Sequence, residues 1–315
     1  MHILVVNDDG PPSQQSSPYI HSLISTLQKA GHKVSVVLPH TQRSWIAKAH
    51  LVGHNIRPTY FRPGTLHKDD GVTSETPLPL DSDIEEWILV DSTPASCVQI
   101  GLYHYFQSRG PVDLVVSGPN YGRNTTAVFS LSSGTLGGAL EAAVCNHKAI
   151  ALSYAFFDRN HDPDIIKGAS DLSVKLIEHL YKIWDPKVSL YSVNVPLVEG
   201  VGERKVLWTQ MLQNAWSSGS CFQEIAVPEE EDQGPKEAEA EIRSAEARGT
   251  ETENEHIRYT HKHFKWAPRF NDVYESVKKS QPGNDGWAVQ EKYTSVTPLV
   301  ANFMHVSGYE GEIRL

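Results

Sequence analysis

Ile3-Leu4-Val5-Val6-Asn7-Asp8-Asp9-Gly10 passes from four apolar residues to an amide, two adjacent carboxylates and a glycine. The apolar run is too short for a helix and suits a β-strand covered on both faces. Asp8 and Asp9 then fall just past the carboxyl end of that strand, where open α/β sheets bind ligands. Adjacent carboxylates repel, and each loses hydration when enclosed. A divalent cation with oxygen ligands is the natural answer to them. Gly10 allows the sharp bend that lets neighbouring side chains converge. Asp-Asp-Gly is also a common turn, and Asp a common helix cap, so the rest of the chain has to decide between the two.

Downstream, Ile20, Leu23, Ile24 and Leu27 recur at helical spacing, and Gly31 stands where a helix ends. Residues 33–38 read as a second strand, stopped by Pro39. This β-α-β order predicts a parallel sheet with a right-handed crossover. Arg43 and Ser44 then lie on the same rim as Asp8 and Asp9. Residues 51–61 predict a strand or hairpin, and 63–83 an excursion from the sheet. Trp87-Ile88-Leu89-Val90 is a third short apolar run, followed by a helix entered at Thr93-Pro94 with Cys97 in its core-facing side.

Residues 113–116 predict a fourth strand opening into a loop, Ser117-Gly118-Pro119-Asn120-Tyr121-Gly122-Arg123-Asn124. A helix over 136–144 follows. Its Gly137, Gly138, Ala139, Ala142 and Ala143 would allow close approach to the sheet. Strands over 149–153, 187–195 and 206–213, a helix over 166–184, and final ordered pieces at 285–289 and 293–299 complete the reading. The expected organisation is one α/β domain over 1–315. It has a core over 1–200, an acidic surface insert at about 228–256 with a helix within 236–248, and an extension over 257–315.

Of 315 residues, 39% are hydrophobic and 21% charged, which is ordinary for a globular chain. The net charge of -10 argues against binding to a nucleic-acid backbone. Residues 228–256 hold eleven acidic and three basic side chains, so most of that charge is local. Three cysteines with no zinc-like spacing, and Met1 leading straight into the first strand, predict a reduced cytoplasmic setting without an export signal. No apolar run reaches membrane-spanning length, so no membrane partner is expected.

Three loops therefore share one rim and offer Asp8, Asp9, Ser44 and Asn120. This all-oxygen set suits Mg²⁺, Mn²⁺ or Ca²⁺ and is poorly suited to zinc. Ser133, Gly134 and Thr135 open a helix, a good seat for phosphate through backbone N–H donors and the helix dipole. An ordinary Ser/Thr cap reads equally well from those residues alone. Asn7 is grouped with them as a candidate phosphate contact. His40, Trp45, Tyr121, Arg123 and the run His261-Lys262-His263 carry weaker signals that loop, packing or surface roles explain as readily.

The ordered set Asn7-Asp8-Asp9-Gly10, Arg43-Ser44, Thr93-Pro94 before Cys97-Val98, Ser117-Gly118-Pro119-Asn120 and Ser133-Gly134-Thr135 resembles the SurE family. Asn194-Val195-Pro196 and Ser295-Val296-Thr297-Pro298-Leu299 are weaker echoes. SurE proteins are metal-dependent phosphatases and nucleotidases. The resemblance implies a Rossmann-like, mostly parallel sheet flanked by helices, with a C-terminal extension exchanged between subunits of a homodimer or homotetramer. It implies one divalent cation per subunit, Mg²⁺ or Mn²⁺ with Ca²⁺ as a crystal substitute, held by Asp8, Asp9, Ser44 and Asn120. It implies hydrolysis of nucleoside 5′- and 3′-monophosphates or related phosphate monoesters, with Asp8 and Asp9 as the catalytic pair. The Trp266-Ala267-Pro268 segment resembles a fungal, acid-phosphatase-like branch. Departures are Pro11-Pro12-Ser13-Gln14-Gln15 after the first motif, Trp45 where the family usually has Gly, Ser96 where it often has Asp, and the segment after Leu299.

Two other readings are carried. One is a phosphate- or nucleotide-binding sensor that does not turn its ligand over. The other is a doubly wound glycosyltransferase or dehydrogenase, against which stands the lack of Gly-x-Gly-x-x-Gly or Gly-Lys-Ser/Thr after any predicted strand.

Overall fold

The structure is a computed structural model that describes residues 1–79, 81–159, 161–225, 240, 243–244, 263–304, 307–308 and 311–312. Most of the predicted insert at 228–256, and of the helix expected within 236–248, lies outside the described residues, as do His261 and Lys262 of the histidine run. Ala240, Arg243 and Ser244 are described and helical.

Strand β1 (His2–Val6) is buried along its whole length. Ile3 and Val5 face one hydrophobic cluster, while Leu4 and Val6 face another on the opposite side of the sheet. That alternation is why Ile3–Val6 carries no polar residue. Each of its side chains contributes about 1.5–3 kcal/mol relative to exposure. Helix α1 (Ile20–Lys29) lays Ile20, Leu23, Ile24 and Leu27 on the first cluster. β2 (Lys33–Pro39) then pairs parallel to β1.

After β3 (Thr59–Arg62), β4 (Val72–Ser74) and β5 (Trp87–Val90), the chain enters α2 (Pro94–Tyr103). Of the stretch predicted at 51–61 only 59–61 pairs, within a β3 that runs on to Arg62, antiparallel to β4 and β5. β6 (Leu114–Tyr121), α3 (Thr126–Ser132), α4 (Gly134–Val144), β7 (Ala149–Ala155), α5 (Pro163–Lys182), β8 (Leu190–Pro196) and β9 (Val206–Trp208) follow. A separate antiparallel pair, β10 (Phe222–Ile225) with β11 (His263–Trp266), precedes α6 (Phe270–Lys279), α7 (Asp285–Gln290) and β12 (Thr294–Leu299).

Among the described residues the main sheet has ten strands in the order β4-β3-β5-β2-β1-β6-β7-β8-β12-β9. The central run β5-β2-β1-β6-β7-β8 is parallel throughout. α1 and α5 cover one face; α2 and α4 cover the other. The predicted Rossmann-like fold class is therefore present. The chain leaves β1 for β2 and β5 on one side, then crosses back to β6 on the other. This reversal of strand order opens a crevice at the carboxyl ends of β1 and β6, the usual binding position of an open parallel sheet.

The predicted loop from Ser117 is a correction: β6 runs on to Tyr121, with a register shift against β7 between Ser117 and Asn120. Gly118 and Pro119 break strands by local preference. Here β7 supplies the pairing, and Gly118, at φ 125°, packs against the Leu152 carbonyl where a side chain would not fit. The strand expected over 206–213 ends at Trp208. α3 and α6 were not predicted.

α4 approaches its neighbours as closely as its small residues allow. A Cβ on Gly138 would lie 2.6 Å from Ser117 Oγ. One on Gly137 would overlap the Ala47 carbonyl, in the loop that carries Ser44 and Trp45. No single helix among the described residues is long and apolar enough to cross a membrane.

Gly137→Ala should therefore push the Ser44 loop off α4, at a cost of about 1–3 kcal/mol. Thermal melting checks this: a fall of several degrees is expected, and a melting temperature equal to wild type would refute the contact.

Candidate functional site

The crevice is built by hydrogen bonds that tie the first loop to three other elements. Gly10, at φ 87°, turns the chain after β1. The Asn7 side chain locks that turn, accepting from Gly10 N–H at 3.0 Å and donating to Gly10 O at 2.9 Å. The Asp8 carbonyl accepts from Arg43 N–H at 2.7 Å, which brings the loop after β2, and with it Ser44, alongside. Asp8 Oδ1 accepts from Thr135 Oγ1 at 2.7 Å, fastening the start of α4. Asp9 Oδ2 accepts from Tyr121 N–H at 2.6 Å, fastening the end of β6. Asp9 Oδ1 accepts from Gln42 Nε2 at 3.2 Å.

Asp8, Ser44, Asn120 and Ser133 line a cavity of about 60 Å³, roofed by Trp45 and Phe129. Asp9 borders a larger cavity of about 260 Å³, together with Pro11, His40, Gln42 and Phe61. Asp8 and Asp9 are both buried. Burial pushes the Asp8 carboxyl well above the usual carboxylate range, and the charge of Asp9 pushes it the same way; the Thr135 hydroxyl opposes both.

All four predicted metal ligands thus meet at the strand-end crevice, three on one cavity wall and Asp9 beside it. The phosphate set divides. Ser133 lines the cavity, and its Oγ accepts from Leu136 N–H at 3.1 Å as the cap of α4. Gly134 sits where a Cβ would lie 2.8 Å from that of Asp8. Thr135 spends its hydroxyl on Asp8. Asn7 is fully buried and holds the turn, so its side chain is not on the cavity wall.

Trp45 packs edge-on against Phe129 and Trp266, with ring centroids 5.9 and 5.5 Å apart, and covers the cavity. Tyr121 packs against Tyr19 and Phe156. Arg123 donates to the Phe156 carbonyl at 2.9 Å. His40 lies 3.0 Å from Thr59 Oγ1 on the larger cavity.

Two groups escaped the sequence reading. Asn124, on the small cavity, donates from Nδ2 to Ser153 Oγ at 2.9 Å, and its N–H donates to Asn194 Oδ1 at 2.8 Å. Arg243 reaches into the crevice and donates from Nη2 to Asp9 Oδ1 at 2.8 Å. Its only sequence signal was a basic residue inside an acidic stretch, shared with Lys236 and Arg248.

The donors fit a hard divalent cation. They are two carboxylates, a hydroxyl and an amide, all oxygen, with the carboxylates in a cost-laden buried pair that a cation would relieve. Among the described residues no group of three or more His, Cys, Asp or Glu could hold a metal, so a softer-metal site is not offered there.

A family model described as "Survival protein SurE" matches residues 3–218. The chain is 37% identical over 343 residues to "Probable tubulin--tyrosine ligase PBY1" of Saccharomyces cerevisiae, a match covering 100% of this chain and 43% of that protein. It is 32% identical over 200 residues to "5'-nucleotidase SurE" of Synechocystis, covering 63% of this chain and 62% of that protein. The matches thus span less than two thirds of either relative. Among solved structures, the SurE protein from Aquifex aeolicus superposes with a TM-score of 0.61 at 21% identity, covering 96% of this chain and 95% of that one, a likeness of fold.

The raised Asp8 carboxyl has a testable sign. Between the unfolded carboxylate value, about 4, and the raised folded value, the folded state holds a proton that the unfolded state has lost. Stability falls as pH rises through that window. In chelator, the melting-temperature advantage of Asp8→Asn over wild type should therefore grow as pH rises from about 4 and level off above the raised value. An advantage that shrank with rising pH would contradict the burial argument.

Proposed function

Because the chain belongs to the SurE family, we propose that it is a divalent-cation-dependent phosphomonoesterase acting on nucleoside 5′- or 3′-monophosphates or related esters. The observation that supports this most is the convergence of Asp8, Ser44 and Asn120 on one small cavity at the ends of β1, β2 and β6, with Asp9 beside it on the neighbouring larger cavity. Asp8, Asp9, Ser44 and Asn120 would hold the cation. Once bound, it neutralises the phosphoryl oxygens and lowers the pKa of a water.

The protein's own part is positioning. Thr135 fixes Oδ1 of Asp8, leaving Oδ2 as the oxygen that accepts a proton from the attacking water. The N-terminus of α4 turns its dipole and first-turn N–H groups toward a phosphate beside Ser133. Trp45, Phe129 and Phe270 restrict water around the reacting group. Asp8 also has the chemistry of a nucleophile. Stereochemistry at a chiral phosphate separates the routes, inversion marking direct attack and retention a covalent intermediate.

The acid-phosphatase-like branch is part of the same reading, supported by the contact of Trp266 with Trp45. So is oligomerisation through the C-terminal extension, supported by the exposure of Phe303 and Met304. The ligase activity in the yeast relative's name is not carried over, since the match covers under half of that protein.

With Mn²⁺ or Mg²⁺, the protein should release phosphate from p-nitrophenyl phosphate and nucleoside monophosphates. Chelation should abolish the activity and added metal restore it. Asp9→Asn should lower kcat/KM by about 10²-fold or more. Full activity in chelator, or in Asp9→Asn, would remove the proposal; metal-dependent nucleotide binding without turnover would favour the sensor instead.

A further inference from the structure

Arg243 lies 234 positions beyond Asp9 in the chain, yet its side chain is 7% exposed and docked in the crevice. Nη2 donates to Asp9 Oδ1 at 2.8 Å and stands 3.4 Å from Ser44 Oγ. Nη1 donates to the Tyr121 carbonyl, and the guanidinium lies over the Tyr121 ring, 4.4 Å from its centroid. Arg243 borders both the small cavity of Asp8 and the larger cavity of Asp9. Arg123, also on the small cavity, is turned away to the Phe156 carbonyl and the Phe157 ring.

We infer that Arg243 is a phosphate-binding residue of this site, gripping a phosphoryl oxygen of the substrate and of the phosphate product. The inference rests on the phosphomonoesterase reading and names a substrate contact that the strand-end motifs do not supply.

Charge argues for it. Ionised Asp8 and Asp9 match one divalent cation, so an incoming phosphomonoester dianion finds no further counter-charge among those ligands. Arg243 supplies one at the same point. Geometry argues for it as well. The Tyr121 carbonyl and ring fix one edge and the plane of the guanidinium, and Nη2 is directed toward Asp9 and Ser44. A planar fork held this way suits phosphate oxygens better than a flexible ammonium would. The present contact with Asp9 also has a consequence. A cation taken up by Asp9 repels the guanidinium beside it, and an anion bridging the two relieves that repulsion. Cation and phosphate should then bind cooperatively through Arg243.

The test uses the full-length chain with Mn²⁺. Calorimetry measures inorganic phosphate binding to wild type, Arg243→Ala and Arg243→Lys; Mn²⁺ affinity without phosphate, melting temperature and steady-state kinetics are measured alongside. Arg243→Ala should weaken phosphate binding by about ten- to a hundredfold and raise KM to a similar degree. Mn²⁺ affinity without phosphate should be equal or tighter, because Asp9 loses a competing cation. Arg243→Lys should restore part of the phosphate affinity, keeping the charge without the fork.

Phosphate affinity equal to wild type in Arg243→Ala overturns the inference. So does a loss of Mn²⁺ affinity matching the loss of phosphate affinity, which would mark Arg243 as a support of the carboxylates alone. Absence of phosphate binding by wild type overturns it too. If wild type binds phosphate through Arg243 but hydrolyses no ester, the enzymatic reading falls and the Arg243 assignment stands. If wild type hydrolyses esters and Arg243→Ala binds phosphate normally, the reverse holds.

Discussion

Two carboxylates side by side in the chain and both out of water are the costly feature around which this molecule is assembled. Asp8 and Asp9 sit at the end of a fully buried strand, where neither can turn to solvent. Each is instead fastened to a different element. Asp8 takes the Arg43 N–H through its carbonyl and the Thr135 hydroxyl through its side chain; Asp9 takes the Tyr121 N–H. These bonds draw the loop after β2, the start of α4 and the end of β6 to one point. The strain of the pair and the assembly of the crevice are the same arrangement seen from two sides.

The sheet explains why that point is open. Strand order reverses between β1 and β6, so the connections leave in opposite directions and the crevice between the strand ends stays uncovered. A third cluster, Val128, Phe129, Phe270 and Val273 with Trp45 packed on it, then closes the outer side. Asp285 fastens this region from below: its carboxylate accepts from Thr126 N–H at 2.9 Å and from Leu212 N–H at 3.0 Å. The C-terminal segment, which also supplies β12 to the sheet, thereby fixes the start of α3 and the position of Phe129 over the small cavity.

What the amino-acid order disclosed follows the range of the forces involved. β1, α1 and β2 were legible because their apolar spacing matches the faces they bury. The shared position of Asp8, Asp9, Ser44 and Asn120 at one crevice was legible because each stands just past, or at the end of, such a strand. β6 was read short, since Gly118 and Pro119 oppose a strand locally and only pairing with β7 overrides them. α6 was missed although Phe270, Val273 and Val277 do recur along one face; its sequence is otherwise polar and carried no cap signal. Asn7 was assigned outward to phosphate, but a buried amide in a tight turn satisfies itself on the nearest backbone, here Gly10. Arg243 was out of reach of any local rule. Nothing within the acidic stretch distinguishes it from Lys236 or Arg248, and its contact with Asp9 exists only after the whole domain has folded.

The two aspartates also differ in a way their adjacency conceals. Asp9 accepts from a backbone N–H, an amide and a guanidinium, donors that all favour a carboxylate anion. The Asp8 side chain accepts from the neutral Thr135 hydroxyl, and burial together with the neighbouring Asp9 charge raises its hold on a proton, against the opposing pull of that hydroxyl, the Arg243 charge and its own backbone N–H. A pair of acids whose surroundings treat them differently is the usual basis for dividing chemical labour between them. The better-supported anion suits a fixed ligand or charge partner. The one whose hold on a proton is raised suits the exchange of a proton with water. The proposed roles, Asp9 as cation ligand alone and Asp8 as both ligand and proton acceptor, accord with the kinds of group around each carboxylate.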